Sequence, residues 1–490
     1  MSESSPVVLQ WQSVLAYEGD PPYHPPLAFP EYPFGGYVAP RNEAYRTVRE
    51  ALHRLGGDVR HYGEPAWNPL VGLVHPGDTV VIKPNLIAGF QEKNRKWQGL
   101  MTHGSVLRAV IDYVFIALNG RGRIIVADSP QEDSDISVVR KNLGIESIQD
   151  FYREFARFPL EFLDLRENYR LTSRGIYTET HQLPGDPKGT VQVNLGRQSY
   201  FSEVEPQGRM YYGAYYDTQE TNFHHSGGRH EYLISRTALS ADVFISLPKL
   251  KTHKKVGLTL NLKGLVGING QKNWLPHYAL GGPDQGGDQF DRVTPKTRLE
   301  TSVITAVKKR LLQNAPLAQF LAKSLRRAGY RLLGNTDTVV RSGNWHGNDT
   351  CWRMALDLNR ILLWYNADGS LRQAPRRYLS VVDGIVGMEG DGPVNGDERP
   401  AGLIAVGTDP VLVDCVCAAV MGLDYRKIPI VFRAFDPSPY RLTPYSSPME
   451  ALISSNDPAF HSQSFAALLR APNLAFAPHF GWKGHIESVP

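Results

Sequence analysis

Cysteine is scarce in this sequence: Cys351, Cys415 and Cys417 are the only three in 490 residues. They form no CxxC pair and no zinc or ferredoxin ligand series. That excludes a recognisable Fe–S motif in this chain and fits a reducing, cytoplasmic compartment. No stretch approaches the ~20 consecutive apolar residues that a transmembrane helix requires. The opening "MSESSPVVLQWQSVL" lacks a basic region followed by a long apolar run, so no signal peptide is expected. Charge of one sign is missing too, because a formal net charge of +4 is small for this length. Basic residues are not interleaved with a stacking platform, and nucleic acid is not the expected partner. Internal repeats and low-complexity tracts are absent.

What is present is an ordinary globular composition, 42% hydrophobic and 21% charged, long enough for a large core in two or three lobes. Residues 1–70 are rich in proline and aromatics and read as a surface arm, closed by a helix in "RNEAYRTVREALHRLGG". A βαβ unit follows. "DTVVIKPNLI" is a strand, "THGSVLRAVIDYVFIALNG" a helix with Thr102 as N-cap and Gly120 near its C-cap, and "RIIVADS" the next strand. Strands alternating with helices predict an α/β fold, with a mainly parallel sheet and helices on both faces in two lobes. The first part of the core is placed at 71–285 and the second at 376–430. A basic, largely helical insertion is placed at 286–375 and a C-terminal extension at 431–490.

Ligands of open parallel sheets bind at the carboxyl edge of the strands, where loops and helix N-termini converge. Four predicted strands end there in polar residues. The first gives Lys83 and Asn85, and the second gives Asp128. The third gives Lys249, Lys251, Thr252 and His253, and the fourth gives Asp383. The third lies in "SLPKLKTHKKVGLTLNLKG", which has five lysines (with Lys263) and no acidic residue. A buried lysine without counter-charge is costly, so such a cluster just past a core strand predicts a bound anion. Asp128 and Asp383 are the candidate ligands of a divalent metal. His253 is the candidate acid/base, with a pKa that adjacent lysines would depress. In "EGDGPVNG", Gly390 and Gly392 are expected to offer backbone amides to the anion. "HHSGGRH" holds three histidines at a spacing that matches no zinc signature and reads as a solvent loop. The basic segment from Lys308 to Arg331 is a candidate for docking on an anionic membrane surface, with Leu317, Phe320, Leu321 and Leu325 toward lipid.

Together "VVIKPNL", "ADVFISLPKLKTH", "LKGLVG", "VVDGIVGMEGDGPVNGD" and "GTDPVLVDCVCAAVMG" resemble, in order and spacing, the signature of the DUF362 family, which has no assigned function. Many of its members carry ferredoxin-like cysteine clusters, which this chain lacks. A more distant similarity is to the N-terminal domain of lactate racemase-type proteins, which use a nickel-pincer nucleotide. That similarity implies that His253 and Lys263 occupy the positions of a histidine and a cofactor-holding lysine. The histidine those proteins place after the second strand is replaced here by "ADSPQED".

The expected function is an enzyme that binds a phosphorylated or carboxylated small molecule. His253, Asp128 and Lys263 are its catalytic candidates, and the favoured chemistry is isomerase- or racemase-like proton transfer. The alternative is a non-catalytic anion- or cofactor-binding assembly protein at a membrane surface.

Overall fold

The computed structural model describes residues 7–89, 97–173, 176–213, 218–295, 297, 339–461 and 463–488. The segment from Lys308 to Arg331 lies outside the described residues. Eleven strands make the main sheet. They are β1 (Val7–Trp11), β2 (Thr79–Pro84), β3 (Arg123–Asp128), β4 (Leu160–Asp164), β5 (Val243–Leu247), β6 (Lys249–His253), β7 (Gly257–Thr259), β8 (Arg377–Glu389), β9 (Asp397–Gly407), β10 (Leu452–Ser455) and β11 (Gln463–Ser464). Their spatial order is β11-β10-β1-β9-β8-β5-β2-β3-β4, with β6 paired to β8 and β7. The block β8-β5-β2-β3-β4 is wholly parallel, while β9 runs antiparallel to both β8 and β1. The α/β class holds, with a mixed sheet that is parallel where the site lies.

The two-residue period of a strand sends successive side chains to opposite faces. Val80, Ile82, Ile124, Val126, Val243 and Ile245 enter one apolar cluster, whereas Val81, Ile125, Ala127 and Phe244 enter the other. Helices α1 (Glu43–Leu55) and α2 (Gly104–Leu118) cover the first face. Helices α3 (Cys351–Trp364) and α4 (Pro410–Val420) cover the second. Helix α1 starts where the Asn42 side chain accepts the Tyr45 N–H and stops at Gly56, which takes φ 88°. Helix α2 is capped by His103 rather than Thr102, because the Thr102 hydroxyl is used to donate to the Leu247 carbonyl at 2.6 Å. Its C-cap is Asn119, in the left-handed conformation, one residue before Gly120.

Three expected boundaries shift. The N-terminal arm includes β1, inserted between β9 and β10, so it is part of the sheet. The C-terminal extension contributes β10 and β11. Helix α3, expected inside the insertion, is a core helix whose Asn359 donates to the Leu262 carbonyl at 2.7 Å. No helix among the described residues is long and apolar enough to cross a membrane.

Candidate functional site

The parallel strands β2, β3 and β5 deliver their carboxyl ends to one edge. There they meet the short helix Asn261–Gly264 and the turn Leu265–Ile268. A cavity of about 480 Å³ opens at this edge, within the roughly 300–1,000 Å³ of ordinary small-molecule sites. Lys83, Lys254, Lys255, Lys263 and Lys272 line it, against two carboxylates, Asp128 and Asp133. His253, His277, Asn85, Ser129, Thr259 and Tyr278 belong to its polar lining.

Lys83 and Asp128 form an ion pair at 2.8 Å, both nearly buried. The Asp128 carboxylate also accepts the backbone N–H groups of Leu86 and Ser129, each at 2.9 Å. It is therefore fully engaged in holding the two strand ends together. Gly267 makes this possible, since a Cβ there would lie 1.9 Å from Asp128 Oδ1 and 2.7 Å from Lys83 Nζ. Gly267→Ala is expected to lose about 2–4 kcal/mol of stability in urea denaturation. A loss under about 0.5 kcal/mol would show that the pair simply moves aside.

Three further lysines of the lining are held differently. Lys272 donates to the carbonyls of Ser129 and Val266, at 3.0 and 3.1 Å, and burial lowers its pKa to about 8. Lys255 reaches the Ser342 carbonyl and lies 4.8 Å over the Tyr278 ring, and burial lowers its pKa to about 7. Lys263 has no hydrogen-bond partner among the described residues. Burial lowers its pKa, and Lys83 adds to that effect. The hydroxyls of Ser129 and Thr259, two residues of the cavity lining, are buried and have no hydrogen-bond partner among the described residues.

The sequence-predicted set divides. Lys83, Asn85, Asp128, His253 and Lys263 meet at the cavity. Lys249 does not, because it is fully buried against Asp383 at 3.0 Å and also donates to Tyr17 Oη at 2.6 Å. The Asp383 carboxylate is consumed by that pair, by Tyr17 and by the His103 N–H. The expected meeting of Asp128 and Asp383 around a metal does not take shape. Among the described residues no three His, Cys, Asp or Glu side chains are arranged to hold one.

Lys251 is buried behind the wall, donating to the Leu100 carbonyl at 2.7 Å and more distantly to Asn85 Oδ1 and the Pro393 carbonyl. Thr252 donates to the Gly390 carbonyl at 2.9 Å. Gly390 and Gly392 do not offer amides to the cavity, since their N–H groups go to the carbonyls of Ala477 and Gly390. Gly392 is required instead for close packing, because a Cβ would lie 2.1 Å from the Thr252 carbonyl.

His224, His225 and His230 are buried rather than solvent-exposed. His224 pairs with Glu231 at 2.8 Å, and both ring nitrogens of His230 are unpartnered. Sequence reasoning missed Lys272 and His277, which follow the strand ends by a turn and a loop. The only signal was their nearness to "LKGLVG".

These lysines fix the direction of a pH effect. Lys255 and Lys272 release their protons near pH 7 and 8 when folded, against 10.5 for a free lysine. Between those values the unfolded chain holds more protons, so stability rises with pH. Buried Asp288 and Asp357 oppose this mainly below about 7, Asp414 until its own titration near 7 is complete, and the buried cysteines toward about 9. The expected result is a gain of about 1 kcal/mol per pH unit between about pH 7 and 8.5, followed by urea unfolding. A flat or falling profile there would contradict buried amines that lose their protons near neutrality.

Residues 205–419 match the family model DUF362, described as a domain of unknown function. That span holds His253, Lys263, Lys272 and His277, while Lys83 and Asp128 precede it. Over 415 residues the chain is 23% identical to a thylakoid-associated protein of Synechocystis sp., covering 84% of this chain and 81% of that one. A crystal structure of a Thermotoga maritima protein shares 12% identity, covering 76% of this chain and 58% of that one, with a TM-score of 0.32.

Proposed function

We propose, from the cavity, that this chain, whose residues 205–419 match the DUF362 family model, is an enzyme acting on an anionic, phosphorylated or carboxylated small molecule. The observation that carries this is the set of lysines around one cavity, of which Lys255, Lys263 and Lys272 have pKa values lowered by burial. An excess of buried amines costs folding energy unless an anion offsets it. The Lys263 amine and the Ser129 and Thr259 hydroxyls, none hydrogen-bonded among the described residues, supply donors for its oxygens. Proton transfer beside a carboxylate or carbonyl suits a site with two neutral imidazoles and amines that titrate near neutrality.

The test is thermal melting with a panel of phosphate esters and di- and tricarboxylates against equal ionic strength of chloride. At least one anion is expected to raise Tm by about 2 °C or more at a hundredfold excess over its Kd. A panel that behaves like chloride throughout would end the proposal.

A second reading is a non-catalytic anion-binding protein at a membrane surface, favoured by the thylakoid association of the Synechocystis relative. It predicts salt-reversible co-sedimentation with anionic vesicles that is lost on deleting residues 308–331. Sedimentation that is indifferent to salt, or to the deletion, would remove it.

A further inference from the structure

We propose that His277 is the fixed hydrogen-bond acceptor of the cavity and His253 its fixed donor, so that the ligand is an anion that still carries a proton to donate; this rests on reading the cavity as an anion site. The two rings line the same cavity but are held in opposite tautomers by their local backbone. The Lys255 N–H donates to Nδ1 of His253 at 3.0 Å. A ring nitrogen that accepts is unprotonated, so the proton of the neutral His253 ring sits on Nε2. In His277, Nδ1 lies 2.8 Å from the Leu275 carbonyl. A carbonyl only accepts, so Nδ1 carries the proton and Nε2 of the neutral ring presents its lone pair. Neither Nε2 has a partner among the described residues.

Both rings stay neutral at physiological pH. Burial lowers the pKa of His277, and Lys263, Lys255 and Lys272 lower it further. Burial does the same for His253, with Lys263, Lys254, Lys251 and Lys255 adding to it. The cationic field that attracts the anion is thus also the field that keeps the acceptor free of a proton. The His277 backbone is held by its amide N–H, which donates to the Tyr212 carbonyl at 2.7 Å, and by its carbonyl, which accepts from Asn348 Nδ2 at 3.0 Å, while the Nδ1 contact with Leu275 orients the ring.

An anion bound here gives its O–H to Nε2 of His277 and receives Nε2–H of His253 on an anionic oxygen. An ion with no proton sets its lone pairs against that of His277, and a buried lone-pair clash or unpaired acceptor is costly. The arrangement therefore discriminates by protonation rather than by charge. Hydrogenphosphate and sulfate are nearly the same size and differ in just this respect.

The test uses the full chain. Calorimetric titration near neutral pH is expected to give phosphate at least about tenfold tighter than sulfate. The preference is expected to disappear in His277→Gln, whose amide N–H₂ can donate to sulfate, while His253→Gln weakens both anions without removing the preference. Long-range ¹H–¹⁵N spectra are expected to show one histidine protonated on Nε2, lost in the His253 variant. A second, protonated on Nδ1, is expected to be lost in the His277 variant. Equal affinity for the two anions in the native chain, or matching tautomers, would overturn the assignment and leave the anion site standing. Binding of neither anion would sink the anion reading, and this inference with it.

Discussion

Replacing Lys263 with methionine is expected to make the protein more stable and its cavity unable to hold an anion. Lys263 is 8% exposed, has no hydrogen-bond partner among the described residues, and lies in the field of Lys83. Methionine keeps the length of the side chain and removes a buried amine that no ion pair offsets among the described residues. The gain is expected to be about 1–2 kcal/mol near neutral pH, by the same reasoning that makes apolar replacement of buried charge stabilising. Affinity for phosphate is expected to fall about a hundredfold, the usual scale for losing one desolvated charged contact to an anion. Urea unfolding and calorimetry on one preparation read both. A variant that loses stability would mean that Lys263 supports the fold, and one that keeps affinity would remove it from the site.

The opposite result is expected at Asp383. Its carboxylate is fully buried and accepts from Lys249 at 3.0 Å, from Tyr17 Oη and from the His103 N–H at 2.9 Å. Asp383→Asn leaves the Lys249 ammonium in an apolar interior without its partner. The expected loss is about 3–5 kcal/mol, the cost of stranding one member of a buried pair. The double replacement Lys249→Met with Asp383→Leu is expected to recover most of it, because two apolar groups strand nothing. Phosphate affinity of the folded fraction should change little, since neither residue lines the cavity. A single variant within about 0.5 kcal/mol of the native chain, or a tenfold loss of affinity in the double variant, would show that the pair belongs to the site after all.

This contrast also marks how far the sequence can be read. The apolar strand patterns place Lys83 and Asp128 at the carboxyl edge, and the structure pairs them there. His253 and Lys263 follow the same logic and reach the cavity. Lys249 and Lys251 sit in the same basic window, but their fates depend on a neighbouring strand, with Lys249 and Asp383 134 residues apart. Register sets Lys249 opposite Asp383 and shifts before Lys251. No local pattern carries a register of that kind. Tyr17 is hidden for the same reason, since its partner is reached only once β1 has joined the sheet. Lys272 and His277 arrive through a loop that folds back over the strand ends, and a loop has no periodicity to betray which side chains turn inward. Gly390 and Gly392 show the converse failure. A glycine-rich stretch fits amide presentation and tight packing equally; at Gly392 the Thr252 carbonyl decides for packing, while Gly390 takes a left-handed φ of 73°.

The most direct measurement is a crystal structure of the full chain grown with arsenate, which keeps the charge and the protons of phosphate and is located by its anomalous scattering. The account predicts one arsenate within hydrogen-bonding distance of Lys263 Nζ, the Ser129 and Thr259 hydroxyls and Nε2 of both His253 and His277. A cavity that holds only water at saturating arsenate, or arsenate confined to surface lysines, would contradict it.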